Sequence, residues 1–193
     1  KKNFAIYDED DSLSLAKEIL KNMNLSPDQF KPASMLNKIS DAKNELVGPE
    51  EFEIKADNFY QKQIKQFYDN YQNKLKACNA LDFDDLIRLP IKIFDADEKI
   101  LEKYQNQYRY ILVDEYQDTN HAQYRLVNLL AQKNRNLCVI GDPDQSIYTW
   151  RGADFRNILN FEKDYPDAKV IILEQNYRST RNILNAAHEI ISK

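Results

Sequence analysis

Apolar residues recur at helical spacing through the first eighty positions and then give way to short, continuous apolar runs. Leu15, Ile19, Leu20 and Met23 form one helical stripe. It follows an acidic run, Asp8 to Asp11, that reads as a solvated turn, and Ser12, which suits a helix cap. Ser26-Pro27 predicts a short helix to Phe30, because proline fits the first helical turn. Pro32 restarts a helix with Met35, Leu36, Ile39 and Leu46 on one side, and Gly48-Pro49 breaks it. A long helix is predicted over 55–78, where Tyr60, Ile64, Phe67 or Tyr68, Tyr71 and Leu75 share a face. An aromatic stripe of this kind serves either to stack nucleic-acid bases or to pack on neighbouring helices, and the second use is much the commoner.

From Leu81 onward the pattern alternates. Asp82 is a candidate cap for a helix through Leu86, Ile87 and Ile91 to Phe94, and a second helix is predicted over 96–107. Ile111-Leu112-Val113 is apolar at every position, which predicts a strand buried on both faces. A helix over 119–131, with Tyr124, Val127 and Leu130 facing inward, separates it from a second such strand, Leu137–Ile140. A helix over 154–161, a loop over 164–167 and a third apolar strand, Val170–Leu173, complete the repeat. A terminal helix then starts at Ser179 or Thr180 and runs through Ile183, Leu184 and Ala187. Strands alternating with helices imply a parallel sheet, so Ile111–Val113 should pair parallel with Leu137–Ile140 across the 119–131 helix.

Each strand ends in polar residues, and open α/β sheets bind ligands at the carboxyl ends of their strands. Asp114 and Glu115 follow the first strand directly. Adjacent acids there are costly unless a positive charge covers them, and a hydrated Mg²⁺ held by one or two carboxylates and substrate phosphates fits. Asp114 would hold the ion, and Glu115 would polarise a water for attack on a phosphoryl group. The residues by themselves leave other readings open: a turn-capping Asp114 with a solvated Glu115, a metal-dependent nuclease, or a nucleic-acid-binding module without hydrolysis.

Three longer stretches carry a resemblance. Asp114-Glu-Tyr-Gln-Asp-Thr-Asn120, Gly141-Asp-Pro-Asp-Gln-Ser-Ile-Tyr-Thr-Trp-Arg-Gly-Ala-Asp154 and Leu173-Glu-Gln-Asn-Tyr-Arg-Ser-Thr180 closely resemble motifs II, III and IV of UvrD/Rep/PcrA-type superfamily 1 DNA helicases. Pro143 stands where the family more commonly has alanine. The resemblance implies a mostly helical α/β chain with a short parallel sheet from a RecA-like P-loop NTPase domain that lacks its P-loop strand. Residues 1–80 would be the helical insertion subdomain 1B. Residues 81–175 would be the C-terminal part of domain 1A with motifs II and III, and 176–193 motif IV and the start of domain 2A. ATP and Mg²⁺ are the implied cofactors. Asp114 and Glu115 would serve the metal and the water, and Gln145 would contact the γ-phosphate. Arg178 would meet its charge as the bond breaks, and Tyr177 would stack on adenine. Tyr148, Trp150 and Arg151 would face DNA, where base stacking on an aromatic ring is worth ~1–3 kcal/mol. The implied activity is ATP-driven 3′→5′ translocation on single-stranded DNA and unwinding at single/double-strand junctions, in keeping with DNA repair.

Composition narrows this in two ways. The net charge is −4 and neither half of the chain is basic, so bulk charge gives no support to DNA binding. Only three glycines are present, Gly48, Gly141 and Gly152, and no Gly-x-x-x-x-Gly-Lys-Ser/Thr loop occurs. That loop supplies the N–H cradle for phosphates. With Lys1 in place of an initiator Met, its absence predicts an internal segment of a longer helicase, inactive in isolation. The missing P-loop strand should leave Leu137–Ile140 and Val170–Leu173 as neighbours across a gap, and the exposed edge should favour self-association. Cys78 and Cys138 lack metal-ligand spacing. Cys138, inside a strand, is expected in the core, and unpaired buried thiols suit the cytoplasm. His121 and His188 fall in predicted helices as non-catalytic residues, and no run approaches the ~20 apolar residues of a membrane span.

Overall fold

The structure, a computed structural model, describes residues 3–52, 59–149 and 152–191. It is a mostly helical α/β chain with two short, separate parallel sheets. The first half packs three helices, α1 (Glu9–Asn22), α2 (Pro32–Asn44) and α3 (Phe59–Ala77), around one apolar cluster. The acidic run expected as a turn instead opens α1: Asp8 caps it, accepting from the Asp11 N–H at 2.9 Å, and Glu9 to Asp11 lie in its first turn. Carboxylates are favoured there because the helix N-terminus carries unsatisfied N–H groups and the positive end of the dipole. Ser26–Phe30 makes a turn, not the expected short helix.

Three helices of the first half end in left-handed residues other than glycine, among them α3, which Asn79 (φ 51°) follows, and the other two close alike. Asn24 (φ 54°) follows α1, and Leu46 (φ 61°) follows α2. In each case the next N–H reaches back around the helix end: Leu25 N–H to Leu20 C=O at 3.0 Å, and Val47 N–H to Ala42 C=O at 2.8 Å. These bonds satisfy carbonyls that a helix end otherwise leaves orphaned.

From Ile64 to Leu75 the α3 stripe is core, while Tyr60 at its start is exposed. Phe67, Tyr68 and Tyr71 are fully buried, and Ile64 and Leu75 nearly so. The Tyr68 hydroxyl donates to the Val47 carbonyl at 3.0 Å, and burial pushes its pKa up. A stacking platform for bases needs an open ring face, and these rings have none. The helix begins at Phe59; its expected first residues, 55–58, lie outside the described residues.

Residues Ala5–Ile6 (β1) pair parallel with Ala80–Leu81 (β2), so the chain leaves the helical unit beside the point where it entered. Asp82 then does what its position predicts and accepts from the Asp85 N–H at 2.9 Å, opening α4 (Asp85–Ala96). It also does something the sequence did not announce. Lys43, from α2, places its ammonium 2.6 Å from Asp82 and 3.1 Å from Asp85, with its side chain fully enclosed. Gln72 of α3 donates to Asp85 at 2.7 Å. A polar knot therefore ties α2, α3 and α4 together at the seam.

The second half packs α4 and α5 (Glu98–Gln107) against α6 (His121–Ala131) around Ile91, Phe94, Ala122 and Leu129. Tyr124, Val127 and Leu130, expected to face inward, are half-buried, and the deepest α6 positions are Ala122, Leu129 and Ala131. The expected sheet pairing is present: Ile111–Val113 (β3) runs parallel to Leu137–Val139 (β4), with Ile111 opposite Leu137 and Val113 opposite Val139.

Three expectations about this sheet are corrected. Neither strand is buried on both faces: Leu112 is 72% exposed, because the two-stranded sheet is covered on one side only. Cys138, which alternates with Leu137 and Val139, points to the uncovered face and is exposed, as is Cys78. Val170–Leu173 forms no strand and is exposed along its length. An apolar run adopts extended pairing only where a ladder of N–H and C=O partners is offered, and among the described residues none reaches it. The predicted helix over 154–161 is broken at Asn160 into α7 (Arg156–Leu159) and α8 (Phe161–Asp164). The terminal helix, α9 (Arg181–Ile191), forms as expected, with His188 on it and His121 opening α6.

Candidate functional site

Parallel pairing of β3 and β4 brings their carboxyl ends side by side, and the loops that follow are bonded to each other. Ile140 N–H donates to the Val113 carbonyl at 2.8 Å, and Tyr116 N–H to the Ile140 carbonyl at 3.0 Å. Asp114 and Glu115 sit at this point, both exposed, while Tyr116 and Gln117 turn inward and are buried. Tyr116 meets Phe161 edge-on, ring centroids 5.8 Å apart, which anchors the loop in the core behind it.

Glu115 adopts a left-handed backbone, φ 50° and ψ 41°. A residue with a Cβ pays of order 1–3 kcal/mol for a sparsely populated conformation, and such residues concentrate at functional sites. The twist separates the two acids, so that Asp114 keeps its own Oδ1 on the Glu115 N–H at 2.9 Å while the Glu115 side chain meets Gln117.

Gln117 was given no role by sequence reasoning, and it is the centre of the arrangement. Its Nε2 donates to Glu115 Oε2 at 2.8 Å, and its Oε1 accepts from the Asp142 N–H at 3.1 Å. Asp142 Oδ2 in turn accepts from Gln145 Nε2 at 2.7 Å. Glu115 and Gln145 are thus joined through one buried amide and one aspartate. Gly141 makes this possible: a Cβ there would lie 2.5 Å from Gln117 Oε1 and 2.7 Å from Ile158 Cδ1. The sequence carries no signal for it: its burial, between buried Tyr116 and Thr119, shows only in the structure.

Further along, the second loop is tied again to the first. Asp154 N–H donates to the Thr119 carbonyl at 3.0 Å, and Asn157 Nδ2 to the same oxygen at 3.0 Å. Asn120 caps α6 and donates to Asn44 of α2 at 2.9 Å, joining the helical unit to the site.

Glu115 and Gln145 are therefore linked, with Asp114 next to Glu115 in the chain. Tyr148, on the same loop as Gln145, is exposed, whereas Trp150 and Arg151 lie outside the described residues. Tyr177 is 91% exposed, and Arg178 is exposed, with its N–H and that of Ser179 both held at 2.9 Å by the Asn176 side chain. Among the described residues, none forms a wall against Tyr177.

No group of three or more His, Cys, Asp or Glu among the described residues is placed to enclose a metal ion. Mg²⁺ rests on one or two carboxylates and otherwise on water and phosphate oxygens. Asp114 and Glu115, adjacent and exposed, fit that requirement.

The parallel pair β3–β4 thus carries two acids at the end of one strand and a glutamine-bearing loop at the end of the other. Residues 1–166 match the UvrD/REP helicase N-terminal domain, and the chain belongs to that family. It is 58% identical over 190 residues to the ATP-dependent DNA helicase PcrA of Bacillus subtilis (strain 168), an alignment covering 98% of this chain and 26% of that protein. PcrA of Staphylococcus epidermidis (strain ATCC 35984 / DSM 28319 / BCRC 17069 / CCUG 31568 / BM 3577 / RP62A) is 54% identical, and PcrA of Staphylococcus aureus (strain Mu50 / ATCC 700699) 53%, each over 190 residues with the same coverage. The chain spans about a quarter of the length of these relatives.

Proposed function

We propose that this chain forms part of the motor of an ATP-dependent DNA helicase, carrying the carboxylates and the γ-phosphate sensor of its hydrolysis site. The observation that carries the reading is the hydrogen-bonded connection from Glu115 through Gln117 and Asp142 to Gln145. A solvated acid and a loop glutamine have no reason to be linked through a buried amide. An acid that polarises water and a residue that reads the phosphate under attack do.

In this reading Asp114, with Glu115 beside it, holds Mg²⁺. The ion, when bound, neutralises charge on the β- and γ-phosphate oxygens. Glu115 orients the attacking water and accepts its proton through the oxygen not bound to Gln117. Gln145 donates to the γ-phosphate, a task suited to a neutral amide whose protonation never changes. Arg178 meets the charge that develops as the bond breaks, where a planar, permanently charged fork is superior to lysine. Tyr177 stacks on adenine. Both of these exposed groups need to be carried to the nucleotide by closure of the segment that bears them.

Tyr148, Trp150 and Arg151 make the single-stranded DNA contact and place it in the same loop as Gln145, which couples hydrolysis to 3′→5′ movement and to unwinding at single/double-strand junctions. The organisation that goes with this function is a helical subdomain over 1–80, the ATPase portion over 81–175 and the start of a further domain over 176–193. The separate apolar clusters, one ending at Ala80 and one beginning at Ile91, support the first boundary. Work on DNA during repair in the cytoplasm, and self-association through the open edges of the β3–β4 sheet, belong to the same proposal.

The deciding experiment compares residues 1–193 with a polypeptide of the relatives' length that adds a Gly-Lys-Ser/Thr loop. The longer protein should show DNA-stimulated ATPase and 3′→5′ unwinding, and residues 1–193 neither. Turnover by residues 1–193 alone would overturn the division of the site between the two.

A further inference from the structure

Gln117 is 1% exposed, yet its carboxamide makes three hydrogen bonds, two to acids of its own loop and one to the second loop. Its oxygen takes the Asp142 N–H, which has no acceptor capacity of its own, so the amide has one orientation only. The NH₂ group is thereby turned onto Glu115 Oε2 at 2.8 Å, with Asp118 Oδ2 at 3.5 Å. We propose that Gln117 is a positioning residue that holds the Glu115 carboxylate in register with the Asp142–Gln145 loop, an inference that rests on the ATPase reading above.

Three independent features converge on it. The Glu115 backbone is left-handed, so its side chain approaches the reaction from an unusual direction and needs a fixed partner to hold it there. Gly141 leaves the space that the Gln117 oxygen occupies, since a Cβ would come within 2.5 Å of it. Asp142 spends its backbone N–H on Gln117 and its side chain on Gln145, with Oδ1 on the Asp144 N–H at 3.0 Å, so a shift of the Gln117 amide moves the whole loop. The traffic runs both ways. A change at the γ-phosphate that pulls Gln145 reaches the water-orienting acid through Asp142 and the Gln117 amide. The link itself makes no contact with nucleotide, so its loss should spare nucleotide affinity and fall on the chemical step.

The test uses the full-length protein and reads ATP affinity and single-turnover hydrolysis separately. Gln117→Glu keeps the shape and the acceptor but replaces the donor to Glu115 with a like charge. Gln117→Ala removes both bonds. Each should slow hydrolysis by roughly 10- to 100-fold, the scale expected when a reacting group is misplaced by about 1 Å, with ATP affinity changed less than threefold. Gly141→Ala attacks the same amide from the opposite side with Gln117 intact and should reproduce the split. It also decides the matter where either Gln117 variant fails to fold. Combined with Gln145→Ala, the Gln117→Glu defect should fall well short of multiplying, because both act on one link. Hydrolysis within twofold of wild type in Gln117→Glu, affinity lost in step with rate, or fully multiplicative defects would each overturn the positioning role. A wild-type protein that binds ATP and never hydrolyses it would instead overturn the ATPase reading, and this inference with it.

Discussion

Lys43 and Asp82, far apart in sequence, meet at 2.6 Å with the lysine side chain completely enclosed. The pair is not alone: Asp85, itself fully buried, lies 3.1 Å from the same ammonium. Removing the lysine leaves two carboxylates in the interior, so Lys43→Met should destabilise the chain by about 3–5 kcal/mol. Chemical denaturation measures it directly. A loss under about 1 kcal/mol, the range of surface ion pairs, would mean that water reaches the knot.

Asp84, in the same seam, predicts a pH dependence. Burial, reinforced by Asp82 and Asp85 and opposed by Ser40 and Lys43, pushes its carboxyl from 3.8 up to about 6. The folded chain therefore holds this proton more tightly than the unfolded one. The associated stability is fully present below 3.8, declines as pH rises toward 6, and is gone above it. Asp84→Asn should be more stable than the parent at pH 7 and should flatten the fall between those values. Denaturation midpoints collected across that window check both.

The stripe on α3 makes a prediction about what it does not do. Phe67→Ala should cost about 3–5 kcal/mol through the cavity it leaves. Single-stranded DNA affinity, measured where the variant remains folded, should be unchanged. A selective loss of DNA binding without loss of stability would return the stripe to the role of a stacking platform.

Glu115→Gln, in the full-length protein, should abolish ATP hydrolysis and leave ATP binding near wild type. The amide preserves shape but is no base. Binding and turnover lost together would make Glu115 an anchor for the metal and nothing more.

Trp150→Ala, in the same protein, should weaken single-stranded DNA binding by roughly 1–3 kcal/mol, with hydrolysis in the absence of DNA little altered. Fluorescence titration with an oligonucleotide gives the number, and an unchanged affinity would assign the ring to packing.

Much of this molecule was legible in its sequence, and the failures share a cause. Helix α3, the Asp82 turn and the parallel pairing of β3 with β4 follow from local periodicity and from the handedness of crossover connections. Leu112, Cys138 and Val170–Leu173 were misjudged because burial is a property of neighbours, not of the apolar run itself. The Lys43 knot and the β1–β2 pairing unite residues about forty and seventy-five positions apart, and nothing in either short stretch announces its partner. At the site, acids and glutamines with recognisable chemistry stood out. Gln117 did not, because it acts by touching other residues and shows its purpose only once Gly141 and Asp142 are beside it.

The short parallel pairing of Ala5 with Ala80 has a consequence for how such a chain can change over time. A host fold accepts a large guest most readily when the guest's two ends emerge as neighbours, because nothing in the host must stretch to admit it. The helical unit meets that condition: its departure and return are adjacent rungs of one ladder. A change in its length or outer surface would leave those two rungs, and the chain's path onward to Glu115 and Gln145, in place. Such a change would have to respect the contacts that cross the seam: Lys43 and Gln72 on the acids of α4, Asn44 on Asn120, Lys92 on Glu50, and Leu46 packed against the second apolar cluster.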